Sequence, residues 1–217
     1  MNIIFASSNE NKLKEYRELI EFYKLDWLKI YSLKDLGIEG FDPEETGSTY
    51  EENARIKAKA LFDLINSGVW TSFSIELPTA MQEEYCVMAD DSGIEVKGLD
   101  NGPGLYSHRF AEPGQHCNKI IEELGDKDPS AKYITNICTV FNDHSTYDVE
   151  GVCFGVIDTH PDKILTGGSL FYPIFMPYNA PGKHLSDLTL SERCEMTHRA
   201  TAFIKAAKVM WVKDIRG

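Results

Sequence analysis

The chain has 217 residues, 42% of them hydrophobic and 26% charged, the balance of a folded globular protein and not of a disordered one. Its 22 basic and 34 acidic residues give a formal charge of −12, which argues against a polynucleotide partner. A small anionic ligand is still possible, because a few placed cations outweigh distant charge that salt screens beyond roughly 8 Å. The five cysteines are scattered and form no C-x-x-C pair, a pattern of reduced thiols that predicts a cytoplasmic protein without zinc-ligand spacing. The N-terminal apolar run is too short for a signal peptide, and no segment is long and apolar enough for a membrane span.

In chain order, Ile3 to Ala6 reads as a short buried strand running into the cap cluster Ser7-Ser8-Asn9. A helix follows with Leu13, Tyr16, Ile20 and Tyr23 on one face. Trp27 to Tyr31 alternates as a second strand, and Gly37 to Gly47 is a loop rich in Gly, Pro and acid. The overlapping pairs Ser48/Glu51 and Thr49/Glu52 are capping boxes for a helix whose stripe is Ala54, Ala58, Leu61 and Ile65. Residues 66–84 have no period and read as an excursion.

Cys86 to Ala89 reads as a strand ending at Asp90-Asp91-Ser92-Gly93, with Ile94 to Val96 as another short strand. Gly102-Pro103-Gly104 breaks regular structure, and a helix is predicted from Gln115 to Leu124. Ala131 to Phe141 and Thr146 to Ile157 are β-rich runs joined by a hairpin at 142–145. Thr189 and Glu192 form a third capping box, and helical periodicity through Ala200, Phe203, Ala207 and Met210 extends toward Trp211. Without repeats or linkers, residues 1–217 are expected to form a single α/β domain with two lobes.

Four places carry chemistry. The turn Ser7, Ser8, Asn9 through Lys12 joins a strand to a helix N-terminus, where backbone N–H groups attract an anion, although a capped surface helix with a solvated lysine would look the same. The pair Asp90 and Asp91 stands at a strand end, where a carboxylate can hold a divalent ion or take a proton from water; an Asp-Ser-Gly turn is the plainer alternative. Asn53 and Lys57 lie one helical turn apart beside the apolar stripe and can contact phosphate or a metal-bound water, unless Lys57 merely lays its stem on the surface. Arg193, His198 and Arg199 offer a guanidinium fork and an imidazole, in a place that also suits a surface helix end. No G-x-x-x-x-G-K-[ST] phosphate loop occurs.

Five blocks stand in one order: Ala-Ser-Ser-Asn-x-x-Lys (6–12), Glu-Glu-Thr-Gly with Glu-Asn-Ala-x-x-Lys-Ala (44–58), Ala-Asp-Asp-Ser-Gly (89–93), Gly-Pro-Gly-x-Tyr-Ser (102–107) and Thr-His-Arg (197–199). In these the chain resembles the inosine triphosphate pyrophosphatase family, which removes non-standard purine nucleoside triphosphates. The resemblance implies an α/β fold, an elongated mixed β-sheet flanked by helices in two lobes around a central cleft, and a homodimer. It implies hydrolysis of substrates such as ITP, dITP or XTP to the monophosphate and pyrophosphate, with magnesium (Mg2+) as cofactor. By position, Ser7, Ser8, Asn9 and Lys12 would cradle phosphates, and Glu44 and Asp91 would bind the metal. Asp91 would also be the proton acceptor, supported by Asp90 and Lys57. Asn53, Ser92, Arg193, His198 and Arg199 would contact substrate, with Arg193 where the family has a lysine.

Two departures are visible. Where the family has Gly-Phe-Gly-Tyr-Asp-Pro-x-Phe near its base pocket, this chain has Gly-Ser-Leu-Phe-Tyr-Pro-Ile-Phe (168–175), which places Phe171 and Tyr172 at the base and removes a carboxylate. The stretch 66–84 is longer than the family's. Three rivals therefore stand beside the main reading: a pyrophosphatase of altered base preference, a catalytically silent nucleotide binder, and an interaction protein using residues 66–84.

Overall fold

The computed structural model describes residues 1–67, 84–164 and 170–215. Its elements are β1 (Asn2–Phe5), α1 (Glu10–Phe22), β2 (Lys29–Tyr31), α2 (Tyr50–Asn66), β3 (Tyr85–Val96) and β4 (Gly102–Pro103). After these come α3 (His116–Leu124), β5 (Ser130–Phe141), β6 (Thr146–Ile157), β7 (Phe175–Pro177), α4 (Leu190–Met196) and α5 (His198–Asp214). The strands make one mixed seven-stranded sheet in the order β2-β1-β3-β5-β6-β7, with β4 paired to β3. The chain divides into two compact units: Met1–Asp91, Asn136–Glu150 and Ala202–Gly217 form the first, Ser92–Thr135 and Gly151–Thr201 the second.

In the first unit β1 lies between β2 and β3 and runs parallel to both, Ile3 opposite Ile30 and Cys86. All four β1 residues are buried, as expected of a parallel strand covered on both faces. Alternation divides the faces. Ile4 and Ala6, with Val87 and Ala89 of β3, pack on Ala54, Ala58, Leu61 and Ile65 of α2. Phe5 packs edge-on against Tyr16 of α1, and Tyr16 against Phe203 of α5. The α2 stripe is the predicted one; in α1 the buried residues are Leu13, Tyr16 and Leu19, while Tyr23 is the C-cap and 36% exposed.

The predicted hairpin forms between β5 and β6: His144 N–H donates to the Phe141 carbonyl and Phe141 N–H to that of Ser145. The expectation of two strands around Asp90-Asp91-Ser92-Gly93 is corrected. β3 runs unbroken for 12 residues, so both aspartates lie inside a strand. The excursion at 66–84 falls almost wholly outside the described residues.

The second unit has its own core, in which Ile94, Ile120, Leu124, Phe171, Ile174, Phe175 and Leu185 are essentially inaccessible. β4 pairs antiparallel with the end of β3, Glu95 opposite Pro103. The motif serine Ser107 ties this turn down, accepting from Ile94 N–H at 3.0 Å and donating to the Gly104 carbonyl at 2.6 Å. The periodicity that predicted one helix toward Trp211 covers two. At Thr197 the backbone is extended (φ −74°, ψ 154°), ending α4 before α5 begins.

Candidate active site

The first unit gathers charged groups around the aspartate pair, and strand alternation determines which group meets which. Asp90 follows Cys86 and Met88 onto the α1 face; Asp91 follows Val87 and Ala89 onto the α2 face. Asp90 has a side chain 0% exposed and ion-pairs with Lys12 at 2.9 Å. A buried carboxylate is tolerated only with such a partner. Lys12 reaches it because Asn9 caps α1, its side chain accepting from the Asn11 and Lys12 backbone N–H groups. Ser7 Oγ in turn accepts from Asn9 N–H at 3.2 Å. Ser7, Ser8 and Asn9 line a cavity of about 400 Å3 with Leu33, Ile38 and Phe41.

Asp91 is 13% exposed at its side chain and is held by two groups of α2. Lys57 Nζ lies 3.1 Å from Oδ1, and Asn53 Nδ2 donates to Oδ2 at 3.3 Å. Burial pushes the Asp91 carboxyl above the ordinary carboxylate value, against the pull of Lys57 and Lys12. Burial also opposes the charge on Lys57, yet Asp91, Asp90 and Glu45 hold its ammonium above the ordinary lysine value. The second carboxylate on Lys57 is Glu45, at 3.0 Å, a residue that the sequence reading passed over for its neighbour. Glu44 is exposed. The Glu-Glu dipeptide was the only signal that either could serve.

Lys57 thus already places one cationic group between two carboxylates from remote segments. Among the described residues no cluster of three or more His, Cys, Asp or Glu side chains is arranged for a metal. Mg2+ ordinarily uses one or two carboxylates and completes its shell with water and substrate phosphates, so the acidic groups here fit that ion.

In the second unit Thr197 donates to the Arg193 carbonyl at 2.9 Å and accepts from Ala200 N–H at 3.3 Å. It is therefore both the end of α4 and the cap of α5. His198 and Arg199, the first residues of α5, are 1% and 4% exposed. Arg199 Nη2 donates to Ser92 Oγ at 3.3 Å, and Arg193 Nη1 to the Leu188 carbonyl at 3.3 Å. The His198 imidazole stacks on Tyr133, centroids 4.6 Å apart and planes 17° apart, with Tyr172 edge-on at 6.1 Å. Tyr133 had no signal in the sequence, because its relation to His198 exists only through the fold. Phe171 is 1% exposed and lies edge-on to His116, within the core of this unit. Residues 168 and 169 of the altered pocket motif lie outside the described residues. All five cysteines are buried and unbridged, and burial pushes the Cys86 thiol up to about 12, so none is poised as a nucleophile.

Fold and site together define a mixed α/β protein with a carboxylate–lysine centre set on a parallel strand beside a capped helix N-terminus. The chain belongs to the Ham1 family, whose model matches residues 3–209. Among its relatives is a dITP/XTP pyrophosphatase of Treponema denticola, 35% identical over 96% of this chain and 97% of that protein. Another dITP/XTP pyrophosphatase, from a Thermoanaerobacter species, is 34% identical over 94% of each chain. The solved structure of the Staphylococcus aureus Ham1 protein matches with a TM-score of 0.72 at 26% identity, covering 98% of this chain and 100% of that one. A Coxiella burnetii HAM1 protein matches with a TM-score of 0.72 at 27% identity, covering 97% and 98%.

Proposed function

We propose that this protein hydrolyses non-standard purine nucleoside triphosphates, such as ITP, dITP or XTP, to the monophosphate and pyrophosphate. The observation that carries the reading is the Asp91 carboxylate, largely buried and clamped between Asn53 and Lys57, in a chain whose relatives bear the name dITP/XTP pyrophosphatase. Water attacks the α-phosphorus, the bond to the bridging oxygen breaks, and pyrophosphate leaves. Asp91 accepts the proton of that water, and a carboxyl raised by burial suits this task better than an ordinary exposed one. Lys57, 12% exposed, faces the charge that develops on the phosphates. Lys12, anchored by Asp90, presents a fixed cation beside the α1 N-terminus, where Ser7, Ser8 and Asn9 receive phosphate oxygens.

Asp91 with Glu44 or Glu45 would hold Mg2+. When bound, the ion supplies charge neutralisation and orientation of the triphosphate. Ser92, Phe171, Tyr172, Arg193, His198 and Arg199 are assigned to substrate recognition. A homodimer and a cytoplasmic location belong to the same reading; sedimentation checks the first.

The test is pyrophosphate release from a panel of ITP, dITP, XTP, the four standard nucleotides and modified pyrimidine triphosphates, with and without Mg2+. Turnover favouring a non-standard purine and abolished by chelation is expected. Asp91→Asn should lower kcat by roughly 100- to 10,000-fold; a folded variant within a few-fold of the parent overturns the assignment. Tyr172 in place of the family aspartate, set against His198, favours one second reading, the same reaction on a different base. Preferred turnover of a modified pyrimidine would select it. Binding of ITP with no pyrophosphate released would point instead to a silent binder.

A further inference from the structure

We infer that Asn53 is a positioning residue: it sets the orientation of Asp91 and fastens the 44–47 loop to it, and does not itself touch substrate. The inference rests on the proposed hydrolysis and deepens it. Asn53 is 4% exposed, on the face of α2 turned to the sheet. Its Oδ1 accepts from Gly47 N–H at 2.9 Å, and its Nδ2 donates to Asp91 Oδ2 at 3.3 Å. The first bond fixes the second. A backbone N–H can only donate, so the amide oxygen must face Gly47, and the NH2 end must then face the carboxylate. Flipped, the amide would set two donors together at Gly47 and two acceptors together at Asp91.

The loop is built for this contact. A Cβ on Gly47 would lie 2.6 Å from Asn53 Oδ1 and 2.9 Å from Asn53 N, so any side chain there must push the loop and the Asn53 amide apart. Glycine is needed at position 47 for close approach, not for an unusual backbone angle. The consequence reaches Glu45, two residues earlier, which meets Asp91 through Lys57. Asn53 therefore joins the two acidic segments by hydrogen bonds from an uncharged side chain while Lys57 joins them by charge. Asp91 is gripped at both oxygens, Oδ1 by Lys57 and Oδ2 by Asn53, which fixes the plane of its carboxylate.

The experiment compares steady-state hydrolysis of ITP with Mg2+ by the full chain and by Asn53→Leu, Asn53→Asp, Gly47→Ala and the double variant Asn53→Leu/Gly47→Ala. Leucine keeps the shape and removes both bonds, while aspartate keeps the acceptor for Gly47. Misplacing a reacting group by about 1 Å costs roughly 100-fold, so Asn53→Leu should lower kcat by roughly 10- to 100-fold with KM within about 3-fold. Gly47→Ala should reproduce that split more weakly, and the double variant should be no slower than Asn53→Leu, because both sever one linkage. A rise in KM of roughly 10-fold or more at unchanged kcat would make Asn53 a substrate ligand and overturn the inference. Additive losses in the double variant would overturn it as well. If Asn53→Leu does not fold, Gly47→Ala and Asn53→Asp decide alone, and parental kcat in both overturns it. A parent inert toward every triphosphate sinks the proposed hydrolysis; an active parent with indifferent Asn53 variants sinks only this assignment.

Discussion

Asp90 and Asp91 are adjacent in sequence yet meet different partners, because a strand turns successive side chains to opposite faces. Asp90 has 0% of its side chain exposed and pairs with Lys12, itself 18% exposed. Removing one partner of a buried pair typically costs roughly 3–5 kcal/mol, more than the pair itself contributes, and Lys12 is the cation in direct contact with this carboxylate. Lys12→Met should therefore destabilise the protein by that amount in urea unfolding, with the denaturant slope unchanged. Replacing both residues by apolar ones of similar volume should cost less than the single change. A Lys12→Met loss below about 1 kcal/mol would mean that Asp90 is satisfied without the ammonium. The opposed directions of the two carboxylates follow once the Asp-Asp dipeptide lies on an extended strand. That β3 continues through Ser92 and Gly93 could not be read from the sequence, since Asp-Ser-Gly is turn chemistry locally, and the place of β3 between β1 and β5 in the sheet exists only in the fold.

Helix starts were legible and one helix end was not. The Thr189/Glu192 capping box is present with both bonds, and Thr49 caps α2 by accepting from Glu52 N–H at 3.1 Å. These signals are written in side chains within four residues of the cap. The break at Thr197 escaped because Thr-His-Arg carries no Gly or Pro to signal a stop, only a threonine that bonds in both directions. Thr197→Val keeps the shape and removes the hydroxyl. It should cost roughly 0.5–2 kcal/mol, read as a lower urea midpoint, and an unchanged midpoint would show that packing alone holds the break.

Glu192 allows a check by pH. Its bond from Lys183, then those from the Thr189 N–H and hydroxyl, hold its carboxyl down to about 2 from an ordinary 4.5. A depressed acid contributes stability that is whole above pH 4.5 and disappears as pH falls through about 2. The stability gap between the parent and Glu192→Gln should thus be constant above pH 4.5 and narrow below it. A gap that widens on acidification would reverse the assignment.

At the scale of the molecule, the α/β class, the buried first strand and the sheet-facing stripe of α2 could all be read from apolar period. Which apolar residues from remote segments share a core could not, since period tells which face is buried and not against what. The residues of 66–84 gave no period to read. Net charge makes a separate claim about how the protein meets its ligand. A chain of −12 repels a nucleoside triphosphate at long range, and Lys12 and Lys57 act only at contact, where Asp90 and Asp91 already balance them. Added salt screens the long-range repulsion, its reach falling from roughly 30 Å at 0.01 M to 8 Å at 0.15 M, and touches the buried contacts far less. The value of kcat/KM for ITP at fixed free Mg2+ should therefore hold steady or rise by up to about 3-fold over that interval, in contrast to the steep loss shown by proteins that gather phosphates on a basic surface. A fall of roughly 10-fold or more would place the dominant cations on the exposed surface and move the candidate site away from the buried pairs around β3.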